Sequence, residues 1–279
     1  MDCPKCRAPV PDSCRHCPAC QADVGFPNVR AASAPNELAE LGRRVEDAWV
    51  SGRARKCEAV LREFEAAVLH SKAVICTSLS RVQQLVSSDS SLYAAYYRQL
   101  EAGVRIPEDN YWDRGRCAVD QALFPNYARD IVFGALSMDG RGLTSYGSYV
   151  ILLREALIHH RASVFEENPF LFARKHRVVA GDTIPAGYRA TWADRSQLAV
   201  AKLHSRISAT TRPGDFAAIL LNESKTHSDH DFIEVHIFGP IHRRAIERVI
   251  GPAPKRGETA LHKSLKSKLA EVGAELEIR

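Results

Sequence analysis

Five of the eight cysteines stand in the first twenty residues, in CPKCRAPVPDSCRHCPAC. Two pieces repeat, Cys3-Pro-Lys-Cys6 and Cys17-Pro-Ala-Cys20. A CxxC turn lets two thiolates point at one metal, and Zn²⁺ takes four such ligands in a tetrahedron. The spacing therefore predicts a structural zinc ribbon with Cys3, Cys6, Cys17 and Cys20 as ligands. Cys14 makes a further CxxC with Cys17 and is read as a spare. A segment this short has no core of its own, so the metal must supply its folding energy. Disulfides are the plainer reading only in an oxidising compartment. MDCPKC lacks the basic start and apolar stretch of a signal peptide, so a cytoplasmic setting is expected.

The second chemical pattern is Asp231-Phe-Ile-Glu234-Val-His236-Ile-Phe-Gly239. In a strand, residues i and i+2 share a face. Glu234 and His236 then look the same way as Phe232 and Phe238, while Ile233, Val235 and Ile237 face a core. A carboxylate and an imidazole on a largely buried strand are costly unless paired or used. The bland account is a half-exposed strand with its polar side outward. Upstream, Ser137 ends one expected strand and Ser145-Tyr146-Gly147 begins the next, with a GRG turn between. Tyr146 could stack on a planar ligand, or simply be a strand-edge tyrosine.

These residues need elements to hold them. Residues 1–24 form the ribbon and 25–36, with Gly25, Pro27 and Pro35, read as a linker. Residues 37–70 carry a helical apolar stripe (Leu38, Leu41, Val45, Trp49, then Val60, Leu61, Phe64, Val68) with a break expected at Gly52. A strand over 73–77 and a helix over 80–86, capped by Ser78 or Ser80, follow. RIPEDNYWDRGR reads as a long ordered loop. Strands are expected over 131–137, 146–154, 187–193, 216–221 and 232–238. Helices are expected over 155–168, 194–206, 241–249 and 260–272. Strands and helices mix without regular βα alternation, which predicts an α+β class.

VICTSLSRVQQLV, FGALSMDGRGLTSYG and EVHIFG, in that order, resemble bacterial ADP-ribosyltransferase domains over roughly residues 70–250. The resemblance implies a split β-sheet core with flanking helices, filling residues 71–279. It implies NAD as substrate, bound in a cleft by a first-strand His or Arg, a central Ser or Tyr and a late-strand catalytic Glu. Glu234 then becomes the catalytic residue. Thr77, Ser78, Ser137, Ser145, Tyr146 and His236 become NAD contacts. The first strand departs from the pattern: it offers Cys76, Thr77 and Ser78 with no His or Arg, and His70 or Arg105 are the candidate substitutes. Some relatives, DarT-type toxins and anti-phage enzymes among them, modify DNA or RNA. An antitoxin or regulatory protein would be a fitting partner.

Composition bounds the rest. With 45% hydrophobic and 25% charged residues the 279-residue chain is ordinary globular protein, and no apolar run suits a membrane partner. The net charge of +5 is mild. Lys255, Arg256, Lys263, Lys266 and Lys268 make the stretch leading into and along the C-terminal 260–272 helix basic, which suits a nucleic-acid partner or a solvated face. GxGxxG and GKS/GKT are absent. Two other functions fit the residues. One is a non-catalytic zinc-ribbon adaptor. The other is a metal-dependent phosphodiesterase built from His227, Asp229, His230, Asp231, Glu234 and His236. Arg161, Glu166, Glu167 and Asn168 read as a helix end stopped by Pro169. Cys57 and Cys117 read as packing residues.

Overall fold

The structure is a computed structural model of the 279-residue chain, whose described residues are all but 108, 110, 225–229 and the side chains of 111 and 112. After the ribbon come helices α1 (Pro27–Ala32), α2 (Pro35–Ala54) and α3 (Glu58–Val68). The first two open on a proline, whose missing N–H costs nothing at a helix start. Residues 25–36 are thus no free linker: Phe26 and Asn28 are buried. Gly52 does not break α2 but lies inside it, where an added Cβ would come within 3.1 Å of the Leu61 side chain. The turn falls at Arg55–Cys57, with Lys56 at positive φ.

Then follow β1 (Lys72–Thr77), α4 (Leu79–Val86), β2 (Leu92–Tyr93), α5 (Tyr96–Glu101), α6 (Tyr111–Leu123), β3 (Ile131–Ser137), β4 (Tyr149–Leu153), β5 (Ala162–Phe165) and α7 (Pro169–His176). The chain ends with β6 (Arg189–Thr191), α8 (Arg195–Leu203), α9 (Phe216–Leu220), β7 (Glu234–Phe238), β8 (Ile241–His242), β9 (Ile246–Gly251), α10 (Thr259–Ala270) and β10 (Glu275–Ile278). Eight strands make one sheet in the order β10-β9-β4-β1-β3-β7-β5-β6, and β2 pairs with β8 beside it. All neighbours in the large sheet are antiparallel except β9 and β10. The mixed α+β class is as expected. In place of the expected split core stand, among the described residues, one eight-stranded sheet and a separate β2–β8 pair.

Each sheet face has its own cover. Ala73, Ile75, Val132, Ile151, Val164, Val235 and Ile237 join the main core with Leu41, Leu61, Phe64, Leu198 and Leu265 from helices. On the opposite face two smaller clusters form: Leu123, Phe124, Ile131, Phe165 and Phe172 in one, and Val74, Ala135, Leu143, Leu152 and Phe232 in the other. No helix among the described residues is long and apolar enough to cross a membrane.

Several elements differ from expectation. YWDRGR, read as loop, opens α6, and residues 108 and 110 of that stretch lie outside the described residues. Residues 155–168 hold two 3-10 turns and then strand β5 rather than a helix. Pro169 starts α7, with the Asn168 side chain accepting from Phe170 N at 2.9 Å, so it opens a helix and does not stop one. Residues 216–221 are α9, not a strand; a short apolar run carries no decisive period. Residues 241–249 are β8 and β9, not a helix. A register shift at Leu152/Leu153 breaks the alternation on the β4–β9 pair, so Ile246, Val249 and Ile250 fall at helix-like spacing. β10 was not expected at all.

Candidate metal centre and candidate active-site cleft

The sulfur atoms of Cys3, Cys6, Cys17 and Cys20 all lie within 4.8 Å of one another. Cys3–Cys20 and Cys6–Cys17 are each 3.6 Å apart. Four sulfurs at ~2.3 Å from one zinc in a tetrahedron stand about 3.8 Å apart, so the donor set fits the ion. The knuckles repeat each other in backbone as well as sequence. Arg7 N–H donates to Cys3 O at 2.9 Å and Gln21 N–H to Cys17 O at 2.8 Å, with Arg7 and Gln21 both in the left-handed region. Crowding drives the thiols apart in acidity. Cys3 is lowered to about 6, chiefly by the backbone N–H of Cys6. Against the backbone N–H of Ala8, which lowers it, Cys6 is raised to about 12 by its thiol neighbours and burial together. A cation is what lets all four ionise together. Cys14 stands outside the cluster, as expected. Its carbonyl instead accepts from Arg30 Nη1 at 2.7 Å, and Asp12 O accepts from Arg30 Nη2 at 2.6 Å. The ribbon is thereby clamped to α1.

The second site is a cleft of about 600 Å³ on the sheet face that the main core leaves free. That is a ligand-sized volume. Its floor is β1, β3 and the start of β7, and α6 forms one wall. Glu234 lies on the floor, 7% exposed. Burial raises its carboxyl to about 8, against the pull of the Arg116 guanidinium. Arg116 and Asp120 reach the cleft from successive turns of α6. Arg116 Nε donates to Asp120 at 3.3 Å, and Tyr97 Oη donates to Asp120 at 2.9 Å. The Arg116 and Arg105 guanidinium carbons each lie 4.6 Å from the Tyr96 ring centroid. Arg81, one turn into α4, donates to Gln99 Oε1 at 2.5 Å and also lines the cleft.

Of the residues expected to contact NAD, Thr77, Ser78, Ser145 and Tyr146 line the cleft together with Glu234. Ser78 caps α4, accepting from Arg81 N at 3.4 Å. Tyr146 is 47% exposed at the mouth. It is brought there by Gly147, whose φ is +147° and where a Cβ would sit 2.2 Å from Thr77 backbone. Ser145 Oγ lies 3.0 Å from His230 Nε2. Because Ser224 N–H donates to His230 Nδ1 at 3.1 Å, Nε2 carries the proton and Ser145 accepts. His230 in this tautomer is therefore no base for Ser145.

Two expected contacts are elsewhere. Ser137 pairs with Lys72 in register, near the end of β1 remote from Thr77, and its hydroxyl donates to Asp139 at 3.3 Å. His236 is not among the residues lining the cleft. It sits behind Glu234, as the twist and packing of β7 turn its ring into an aromatic cluster. Arg105 faces the cleft, whereas His70 is exposed after α3 and does not line it. Arg81, Arg116 and Asp120 were missed. Arg81 had a local signal, three residues after the Ser78 cap. Arg116 and Asp120 fell in or beside a stretch read as loop.

Among the described residues, the His/Asp cluster of residues 227–236 forms no group of three donors close enough to share an ion. His227 and Asp229 lie outside the described residues. Asp231 is engaged by Lys202 Nζ at 2.5 Å and by Arg206, and His230 by Ser145 and Ser224. Among the described residues, the four ribbon thiols are the group of donors close enough to share an ion. Glu166 is ion-paired with Arg44 at 2.5 Å, and Arg161 donates to Phe238 O at 2.5 Å. Asn168 alone of that group lines the cleft. Cys57 is buried with its thiol against Ile207 O, while Cys117 is exposed on α6. On α10 the buried side is His262, Leu265 and Leu269 and Lys263 and Lys266 are exposed, while Lys255 and Arg256 are exposed in the turn before it. No protein-family model matches the chain, and no curated protein matches it.

Proposed function

We propose that the chain is an NAD-dependent ADP-ribosyltransferase acting in the cleft around Glu234. One observation carries the reading. A carboxylate held at about 8 by burial forms the floor of a ligand-sized cleft, whose rim is Thr77, Ser78, Ser145 and Tyr146. Strongly shifted ionisable groups cluster at functional sites, and Glu234 combines its shift with a place on the cleft floor.

In this reading the nicotinamide ring stacks on Tyr146, and the hydroxyls of Thr77, Ser78 and Ser145 orient the dinucleotide. Arg81, Arg105 and Arg116 face the pyrophosphate, filling the role that the first strand leaves open. As the nicotinamide–ribose bond breaks, its electron pair leaves with nicotinamide and positive charge builds on the ribose carbon. Glu234, ionised as the pH rises through about 8, stabilises that charge as a carboxylate. An acceptor nucleophile then bonds to the ribose carbon and gives up its proton. The acceptor is nucleic acid, approached along the basic surface of α10, or protein. A role in toxin–antitoxin or anti-phage defence with a regulatory partner follows from the resemblance, and structural zinc from the ribbon thiols.

Incubating the protein with labelled NAD plus DNA, RNA and cell lysate tests this directly. Label transferred to a macromolecule is the expected result. NAD left intact with nothing labelled would refute the transferase.

A further inference from the structure

Behind the proposed catalytic carboxylate stands a second buried group that the reaction scheme above does not use. His236 Nε2 lies 2.9 Å from Glu234 Oε2. The imidazole is 2% exposed. Its ring is edge-on to Phe124 at 4.6 Å and Phe133 at 5.1 Å between centroids, and stacked with Phe165 at 5.8 Å. Tyr127 closes the box at 6.4 Å. The backbone is held too, since the Asn28 amide donates to His236 O at 3.1 Å and to Ser163 Oγ at 3.0 Å.

We infer that His236 is a positioning residue: a neutral imidazole, fixed in an aromatic box, that donates Nε2–H to one oxygen of Glu234 and leaves the other free for the cleft. This rests on the transferase reading of Glu234. The chemistry explains why the partner is a histidine. A lysine or arginine at this distance would neutralise the carboxylate and weaken its pull on a developing cation. A neutral N–H orients the carboxylate and keeps its charge available. The box ensures neutrality, because burial pushes the imidazole down to about 3. The charges that bear on the pair are Arg116 and Asp120 from α6 and Arg189 from β6. Tyr146 faces Glu234 from the cleft mouth.

The test uses the full chain with its zinc and follows NAD consumption. His236→Leu keeps an apolar occupant in the box and removes the donor. It should lower kcat about ten- to a hundredfold, the loss of one hydrogen bond to a charged group, with KM for NAD within about twofold. It should also move the acidic limb of kcat/KM to higher pH, because the carboxylate loses a donor that favours its ionised form. His236→Gln, which restores an N–H, should recover part of kcat. Unchanged kcat and an unshifted limb in His236→Leu would overturn the proposal. If His236→Leu does not fold, nitrogen NMR of the wild-type chain at pH 9 decides. The Nε2–H tautomer, with its resonance shifted in Glu234→Gln, is expected, and an Nδ1–H tautomer overturns the proposal. Full NAD consumption by Glu234→Gln would instead remove the transferase reading itself, so the two failures are distinct.

Discussion

The ribbon and the cleft solve opposite problems with the same material. The ribbon gathers four thiols from twenty residues through two copies of one tight turn. The cleft gathers Thr77, Arg81, Arg116, Tyr146 and Glu234 from parts of the chain far apart in sequence, through a sheet that sets β3 between β1 and β7. In the ribbon, four thiols are crowded at distances that fit one zinc ion. In the cleft, one carboxyl group is stripped of water, so its charge is costly. The first arrangement suits a cation held by all four thiols, and the second leaves one carboxyl costly to ionise. Local closeness therefore builds the thiol cluster, and distant closeness builds the cleft.

That contrast can be tested at its strongest point by removing a thiolate. Cys17→Ser should abolish stoichiometric zinc binding and expose residues 1–24 to amide exchange, because metal binding supplies on the order of 10 kcal/mol to such ribbons. A ribbon that keeps its zinc and its protection would break the comparison. Next in size, Glu234→Ala should cut NAD consumption by about a thousandfold or more with the melting temperature kept or raised. Full activity in that variant would leave the cleft without its proposed role.

A smaller effect sharpens the claim of strain. The folded Glu234 carboxyl titrates near 8 rather than at its ordinary value of 4.5, so the native state holds a proton that the unfolded chain has released. Stability from this group is complete below pH 4.5, falls between pH 4.5 and 8, and is lost above 8. Glu234→Gln, always neutral, should therefore melt higher than wild type at pH 8.5, by on the order of 1 kcal/mol or more, and match it near pH 4.5. Equal melting at both pH values would show that the carboxylate is not strained. The smallest effect is expected at Cys14. Cys14→Ser should leave zinc content unchanged, whereas loss of the metal would place Cys14 in the ligand set.

How much of this was legible depended on how local the pattern was. Strands β1, β3 and β7 announced themselves because both of their faces or one clean face is apolar, and Glu234 could be picked out on the last of them. Ser78 as a cap was readable from its position before the helical stripe. β5 was not, since Ala162–Phe165 is four residues long and follows turns that mimic a helix. β9 was misread because it carries one extra residue, Glu247, between the partners of Leu152 and Leu153, and that bulge decides which of its residues face inward. His236 was assigned to the right strand face but the wrong depth. Alternation says which side a residue faces, and only the packing of Phe124, Phe133 and Phe165 says that this side is closed over His236 while open over Glu234.

By itself the sequence determined the four-thiol cluster, the α+β class and the carboxylate strand, because each rests on spacings within a single element or turn. The tertiary structure alone decided the cleft wall of Arg116 and Asp120, the place of Arg81 and the clamp of Arg30 on the ribbon carbonyls. Those depend on where α6, α4 and α1 lie against the sheet. Helix-against-sheet placement is fixed by burial summed over many residues, and no short stretch of sequence records such a sum.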